Sequence, residues 1–264
     1  NDSRFGRYYL TAHTFASGYF DPWNVAQMTD AALAAEKAEL QAFCSYLLAN
    51  FPNKDFVIMY GETDWSLMQG TDPTVTVPSW RVPSAISFFK ARQQAVANAR
   101  AAVTGGTTTV RHMIEVNRVL DNNTYRMHRD VVPSIQPDLI GYSAYEAIND
   151  WLAGSYTTAQ TQASIDTKMA QAVGAIRAYN PGVPIHVTEF GWPELNSTFV
   201  SEGLSVSSLI QQVQLSCQKL GIPDAIYWEV FDNASPYSGY ALYSSPNGTQ
   251  LTGAGVYFAN LSLP

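Results

Sequence analysis

The sequence predicts an α/β fold with a parallel sheet, and three observations support this prediction. Short apolar runs alternate with longer amphipathic stretches along the 264 residues. The apolar runs are rich in Val, Ile, Tyr and Phe and lack polar alternation, which is typical of strands covered on both faces. The spacing leaves room for a helix between successive strands, as repeated βα units require.

The elements follow in order along the chain. The predicted strands are Tyr8–Thr14, Phe56–Gly61, Val110–Asn117, Leu139–Tyr145, Ile185–Phe190 and Ala225–Phe231. The predicted helices are 29–51, 83–102, 125–133, 159–179 and 205–220. The first helix opens on Thr29 and Asp30, which form a capping signal. The segment 240–261 contains a Pro-Asn-Gly turn and is predicted to be a hairpin or an irregular tail.

These units predict a (β/α)8 TIM-barrel-type fold in which six βα units are recognisable. A closed barrel of this type needs eight units, and the first predicted strand begins within about ten residues of the N-terminus. We therefore expect that two units are either missing at the front or too irregular to recognise, and a barrel without them would expose two sheet edges. No linker, repeat or low-complexity segment interrupts the pattern, so a single domain over residues 1–264 is expected.

Composition limits the partners. The formal net charge is −7 with a pI near 5.0, which disfavours nucleic acids and anionic membranes. No run of about 20 apolar residues predicts a transmembrane helix. The low Lys content and the many Tyr, Trp, Ser, Thr and Asn residues are typical of extracellular proteins. We expect a secreted or extracytoplasmic monomer.

Cysteine and histidine usage disfavours a metal site. Cys44 and Cys217 both fall in predicted helices, and we expect buried thiols rather than a disulfide. The four histidines form no H-E-x-x-H motif and no Cys/His cluster with zinc spacing. We expect no metal and no cofactor.

The six tryptophans lie at strand C-terminal ends or in the loops that follow. They are Trp23, Trp65, Trp80, Trp151, Trp192 and Trp228. In parallel α/β barrels this face carries the active site. Indole rings there suit stacking against sugar rings or other flat apolar ligands, although any one of them can instead pack a loop onto the core.

Two carboxylates close apolar strands in the same way. Glu62 ends the run in "FVIMYGETDW", and Glu189 ends the run in "HVTEFGWP". A retaining glycosidase needs two carboxyl groups about 5 to 5.5 Å apart, one acidic and one ionised. Glu229 is an alternative carboxylate, whereas Asp64 is expected to brace the loop after Glu62.

These pieces together resemble the clan A glycoside hydrolases, whose (β/α)8 barrels carry an acid/base Glu after strand four and a nucleophile Glu after strand seven. "IHVTEFGWP" is similar to strand seven and "FVIMYGETDW" falls at strand four, which implies Glu189 as nucleophile and Glu62 as acid/base. "LIGYSAYEA", "AIYWEVFDN" and "TAHTF" resemble strands six, eight and three. The resemblance implies that Tyr145 bonds the nucleophile, Trp228 lines the sugar pocket and His13 lies at its wall.

The expected function is a retaining hydrolase that cleaves O-glycosidic bonds of an oligo- or polysaccharide. The expected substrate-binding residues are His13, Trp65, Glu115, Asn117, Tyr145, Trp192 and Trp228. Glu115 and Asn117 end the third predicted strand, where they contact either substrate or loop backbone. The chain departs from the clan in two ways. Gly61 stands where an Asn is usual before the acid/base Glu, and the first two strands of the clan pattern have no counterpart in this sequence. A carbohydrate-binding barrel without catalysis and a transglycosylase remain alternatives.

Overall fold

The sheet of the protein confirms the number and order of the predicted strands, but the first and last strands end at Thr11 and Tyr227 rather than at Thr14 and Phe231. The structure is a computed structural model that describes residues 5–15, 22–70, 72, 74–121, 124–148, 158–192, 205–231, 239–243 and 250–261. Its strands are β1 (Arg7–Thr11), β2 (Asp55–Tyr60), β3 (Thr109–Val116), β4 (Leu139–Ser143), β5 (Ile185–Phe190) and β6 (Ala225–Tyr227). They form one parallel sheet in chain order, which confirms the α/β prediction.

The helices lie between the strands, as the βα pattern predicts. In the described residues they are α1 (Pro22–Val25), α2 (Asp30–Asn50), α3 (Thr63–Met68), α4 (Arg81–Ala102), α5 (Tyr145–Ile148), α6 (Thr158–Tyr179), α7 (Val206–Lys219) and α8 (Gly253–Ala259). The predicted cap of α2 is confirmed, since the Thr29 side chain accepts a hydrogen bond from the Ala32 amide at 3.2 Å.

The chain has two compact units. The first consists of Asn1–Gly141 with Ala175–Ile185, and the second of Tyr142–Gly174 with His186–Pro264. The single domain over residues 1–264 stays a prediction.

Strand β2 shows why the apolar runs are continuous. Phe56 and Ile58 pack into a core with residues of α2 and α4, on one face of the sheet. Val57 points to the other face, where it packs with Met113 and Leu139. Both faces of the strand are covered, so every position favours an apolar residue.

Two predicted elements need correction. The helix predicted over 125–133 is a π-helical turn, Met127–Val131, followed by a 3-10 turn, Val132–Ser134. Pro133 lacks the amide that an α-helix needs at this point. The tail contains an antiparallel bridge between Tyr243 and Leu251, as a hairpin requires, but it also contains a helix that the sequence does not predict. Helix α8 begins after Thr252, whose side chain accepts from the Gly255 amide at 3.1 Å. Gly253 and Gly255 weaken the helix signal because glycine has low helix propensity.

The structure confirms that the two cysteines are buried thiols rather than a disulfide. Cys44 and Cys217 are free and buried, and burial raises the pKa of each thiol to about 12. A thiol with so high a pKa carries almost no thiolate at neutral pH. No helix among the described residues combines the length and apolar character that crossing a membrane requires.

Candidate active site

The turn after β2 holds Glu62 in an unusual backbone conformation. Glu62 has φ +46° and ψ 45°, in the left-handed region, and helix α3 begins at the next residue. Non-glycine residues are uncommon there and concentrate at functional sites. The Glu62 amide donates a hydrogen bond to Glu115 Oε2 at 2.6 Å, and Glu115 lies in β3. A neighbouring strand therefore fixes the residue that the sequence predicts as the acid/base.

Further bonds tie the same turn to the end of β3. Thr63 Oγ1 donates to the Glu115 carbonyl at 2.5 Å. The Asp64 amide donates to Asn117 Oδ1 at 3.2 Å, and the Asn117 amide donates to Asp64 Oδ2 at 3.0 Å. This reciprocal pair confirms that Asp64 braces the loop. For Glu115 and Asn117, these contacts are with loop backbone, and their contact with substrate stays a prediction.

Asp64 is buried as an acceptor of backbone amides. Besides Asn117, the amides of Arg118 and Met127 donate to its carboxyl at 3.3 and 2.8 Å. Burial raises the pKa of Asp64 to about 6, and these three hydrogen bonds oppose that rise. The carboxyl therefore joins the turn after β2, the end of β3 and the π-helical turn.

His13 lies beside the end of β2. Its ring meets the Tyr60 ring edge-on, with centroids 4.7 Å apart. The adjacent backbone is anchored by Arg92, whose Nη2 donates to the Ala12 carbonyl at 2.7 Å. Arg92 Nη1 also pairs with Glu36 Oε1 at 2.5 Å, and both side chains are fully buried. A buried ion pair thus sets the position of the segment that carries His13.

Trp65 lies in α3, three residues after Glu62, and is half-buried. No acceptor among the described residues lies within hydrogen-bond distance of its buried Nε1. Two further tryptophans lie in the first compact unit, as Trp65 does. Trp23 is completely buried in α1, and Trp80 precedes α4. Trp151 lies outside the described residues. A shared ligand-facing role for the tryptophans stays a prediction.

Glu189 lies near the end of β5, where the strand is irregular. The pairing of β5 with β6 shifts register between Val187 and Phe190. Such irregularities redirect side chains and are common next to active sites. The Glu189 carbonyl accepts the Ala144 amide at 2.8 Å, so the backbone that leads into Tyr145 lies beside Glu189. The predicted hydrogen bond between the Tyr145 and Glu189 side chains stays a prediction.

Tyr240 is a residue of this site that the sequence did not indicate. Burial and the negative charge of Glu189 both raise the pKa of Tyr240. Its ring meets the Tyr145 ring edge-on, with centroids 6.3 Å apart. A Cβ at Gly191 would lie 3.1 Å from Tyr240 Cδ1 and 2.5 Å from the Trp228 carbonyl oxygen. Tyr240 comes from a tail without strand periodicity, so no local signal marks it.

The two tryptophans predicted to shape the sugar site differ in exposure. Trp192 is 0% exposed, and its ring packs edge-on against Phe190 at 6.1 Å. Trp228 is 41% exposed, and its amide donates to the Phe190 carbonyl at 2.8 Å. Trp192 therefore contributes packing to the strand end, while Trp228 presents ring surface to solvent. Sugar contact by either residue stays a prediction, as does a catalytic role for Glu229.

Comparisons with known proteins bear on the fold. No family model matches the sequence, and no curated protein matches it. Among solved structures, GH5_18 from Streptomyces cattleya in complex with GlcNAc is 14% identical with a TM-score of 0.64. That match covers 98% of this chain and 62% of that one.

Two further solved structures are similar. A family 5 xyloglucanase from Paenibacillus pabuli is 14% identical with a TM-score of 0.58, over 96% of this chain and 73% of that one. An active-site mutant of Rhizomucor miehei beta-1,3-glucanosyltransferase, in complex with laminaritriose, is 16% identical with a TM-score of 0.52, over 83% and 71%. At these identities the likeness concerns the fold. The chain therefore has the predicted α/β fold of TIM-barrel type, with six parallel strands among the described residues, and is similar in fold to these glycoside hydrolases.

Proposed function

We propose that the protein is a retaining glycoside hydrolase that cleaves O-glycosidic bonds of an oligo- or polysaccharide. One observation carries the proposal: Glu62 and Glu189 each lie at or just beyond the carboxyl end of a strand of the parallel sheet, on irregular backbone. Carboxyl ends of parallel strands carry the active sites of this fold class. The mechanism requires the two carboxyl groups to come within about 5 to 5.5 Å of each other.

In the first step, the Glu189 carboxylate attacks the anomeric carbon of the substrate. Glu62 gives its proton to the glycosidic oxygen as the bond between that oxygen and the anomeric carbon breaks. The leaving group departs as an alcohol, and the sugar remains bound to Glu189 as an ester. Glu62 is then a carboxylate.

In the second step, water attacks the anomeric carbon while Glu62 takes one of its protons. The ester bond to Glu189 breaks, and both carboxyl groups return to their starting states. Tyr145 orients Glu189, and Trp228 offers an exposed ring for a sugar face. The reaction uses no cofactor.

The protein is further proposed to be a secreted monomer that acts in polysaccharide degradation, and its many Tyr, Trp, Ser, Thr and Asn residues support secretion. Secretion can be tested by locating the full-length protein in its source cells. The oligomeric state can be tested by light scattering of the purified chain.

The activity is tested with a panel of aryl glycosides and polysaccharides. We expect turnover by the wild type and at least roughly a 1,000-fold loss in both Glu62→Gln and Glu189→Gln, since each removes a group that reacts. Asp30→Asn, a matched carboxylate-to-amide change at an exposed position at the start of α2, is expected to keep full activity. Undiminished turnover in either active-site variant would contradict the assignment.

Transglycosylation is a second candidate, favoured by the likeness to the glucanosyltransferase. It uses the same two carboxylates, with a sugar hydroxyl in place of water. Products longer than the substrate would identify it. Saturable sugar binding without turnover would instead replace the hydrolase by a binding protein.

A further inference from the structure

Glu115 holds the turn after β2 at two points. Its carboxylate accepts the Glu62 amide at 2.6 Å, and its own carbonyl accepts Thr63 Oγ1 at 2.5 Å. The side chain is 1% exposed. A buried acceptor that satisfies the amide of a left-handed residue favours that backbone conformation over its alternatives.

Gly61 leaves the space that this carboxylate occupies. A Cβ at position 61 would lie 3.2 Å from Glu115 Oε2, closer than ordinary van der Waals contact. No other described atom outside the adjoining residues lies within 4 Å of that Cβ position. Gly61 and Glu115 therefore fit each other, and a side chain at 61 would press on the atom that binds the Glu62 amide.

We propose that Glu115 is a positioning residue for Glu62, and that Gly61 is required because the Glu115 carboxylate lies against it. Glu115 fixes the backbone from which the Glu62 side chain extends. It thereby keeps the acid directed at the glycosidic oxygen. This inference rests on the proposed function, in which Glu62 delivers a proton to the leaving group.

The dependence of rate on the leaving group tests the positioning role. A substrate with a weakly basic leaving group, such as a dinitrophenyl glycoside, departs without a proton, whereas a methyl or alkyl glycoside of the same sugar needs one. Glu115→Ala is expected to lower kcat/KM on the alkyl glycoside by roughly 100-fold, the scale of general acid catalysis, and by less than about 3-fold on the dinitrophenyl glycoside. Glu115→Gln keeps an acceptor oxygen and is expected to restore most of the activity.

A matched control separates positioning from loss of folding. Ile58→Val removes a methyl group from a hydrophobic cluster of the core and leaves the hydrogen bond between Glu62 and Glu115 in place, so any loss of activity is expected to be equal for both substrates. An equal loss for both substrates in Glu115→Ala would overturn the inference, and so would no loss for either.

Gly61→Ala completes a double-mutant cycle. In the wild-type background we expect roughly a 10-fold loss on the alkyl glycoside, because the new Cβ displaces Glu115. In the Glu115→Ala background the same change is expected to cost nothing more, since the atom that it meets is gone. Additive losses would contradict the fit between Gly61 and Glu115.

Hydrogen exchange tests the contact without any activity. The Glu62 amide is expected to exchange slowly in the wild type and in Glu115→Gln, and at least 10-fold faster in Glu115→Ala. Unchanged exchange in Glu115→Ala would overturn the inference. If the wild type hydrolyses no glycoside, the proposed function fails, while the exchange rates still decide whether Glu115 holds Glu62.

Discussion

Glu62 and Glu189 follow the same sequence pattern, but the chain holds them by different forces. Around Glu62 the backbone is fixed by hydrogen bonds to the end of β3, above all from the Glu62 amide to Glu115 and between Asp64 and Asn117. Around Glu189 close packing is added to the backbone hydrogen bonds from Ala144 and Trp228, with Trp192 buried against Phe190 and Tyr240 beside Gly191.

The difference predicts which changes each region tolerates. At the end of β2, a substitution is harmful when it removes an acceptor for a buried amide. At the end of β5, a substitution is harmful when it removes ring volume or adds an atom where backbone segments touch. Each region can therefore be perturbed by a change that the other would accept.

The largest effect is expected from Trp192→Ala. The ring is completely buried at the end of β5, so its loss opens a cavity and should lower the free energy of unfolding by about 3–5 kcal/mol. Urea denaturation followed by circular dichroism measures this change. A loss below about 1 kcal/mol would mean that packing does not hold the Glu189 region.

The next effect is a pH dependence that belongs to the Glu62 region. Burial raises the pKa of Asp64 from 3.8 to about 6, so the folded chain binds this proton more tightly than the unfolded chain. The contribution of Asp64 to stability is therefore fully present below pH 3.8 and is lost as the pH rises to about 6. At about 1.4 kcal/mol per pKa unit, the change amounts to roughly 3 kcal/mol.

Asp64→Asn checks this linkage because an amide does not titrate. The free energy of unfolding is measured for both proteins between pH 3 and 7. The wild type is expected to lose roughly 3 kcal/mol relative to the variant across this range. Parallel curves would show that Asp64 keeps an ordinary pKa, held there by its three backbone amides.

Gly191→Ala is expected to lower the free energy of unfolding by about 1–3 kcal/mol. The added methyl group would meet the Trp228 carbonyl and the Tyr240 ring, so the backbone beside Glu189 must shift. Activity should fall with it. Gly174→Ala is the matched control in α6, where a Cβ meets nothing within 4 Å and a helical alanine is favourable. Equal stability of the two variants would refute the close packing.

The order of the strands was predictable from sequence because burial on both faces makes each strand a continuous apolar run. Strand ends were less accurate where pairing becomes irregular. The run 225–231 predicts a strand to Phe231, but β6 ends at Tyr227. Beyond that point the Trp228 amide donates to the Phe190 carbonyl, and the Leu242 amide donates to the Glu229 carbonyl. These are separate hydrogen bonds outside the regular ladder of a strand. Periodicity records burial and carries no information about such isolated long-range bonds.

The sequence singles out the two carboxylates of the candidate site but not the residues that support them. Glu62 and Glu189 stand out because a charge ends an apolar run. The bond from Glu62 to Glu115 joins residues 53 positions apart, and Tyr240 approaches Glu189 from the tail. Neither relation leaves a trace in local sequence. Only Asp64 was predicted as a brace, because it follows Glu62 so closely.

The smallest stability effect, and the sharpest contrast with Trp192, is expected from Trp228→Ala. Its ring is partly exposed, and the hydrogen bond from its backbone amide to the Phe190 carbonyl survives the substitution. The free energy of unfolding should therefore fall by less than about 1 kcal/mol. Loss of a sugar-stacking face should instead lower kcat/KM about 10-fold, the equivalent of about 1.4 kcal/mol. If Trp228→Ala destabilises the chain as much as Trp192→Ala while kcat/KM is unchanged, Trp228 is a packing residue. The sugar face must then be supplied by another aromatic side chain.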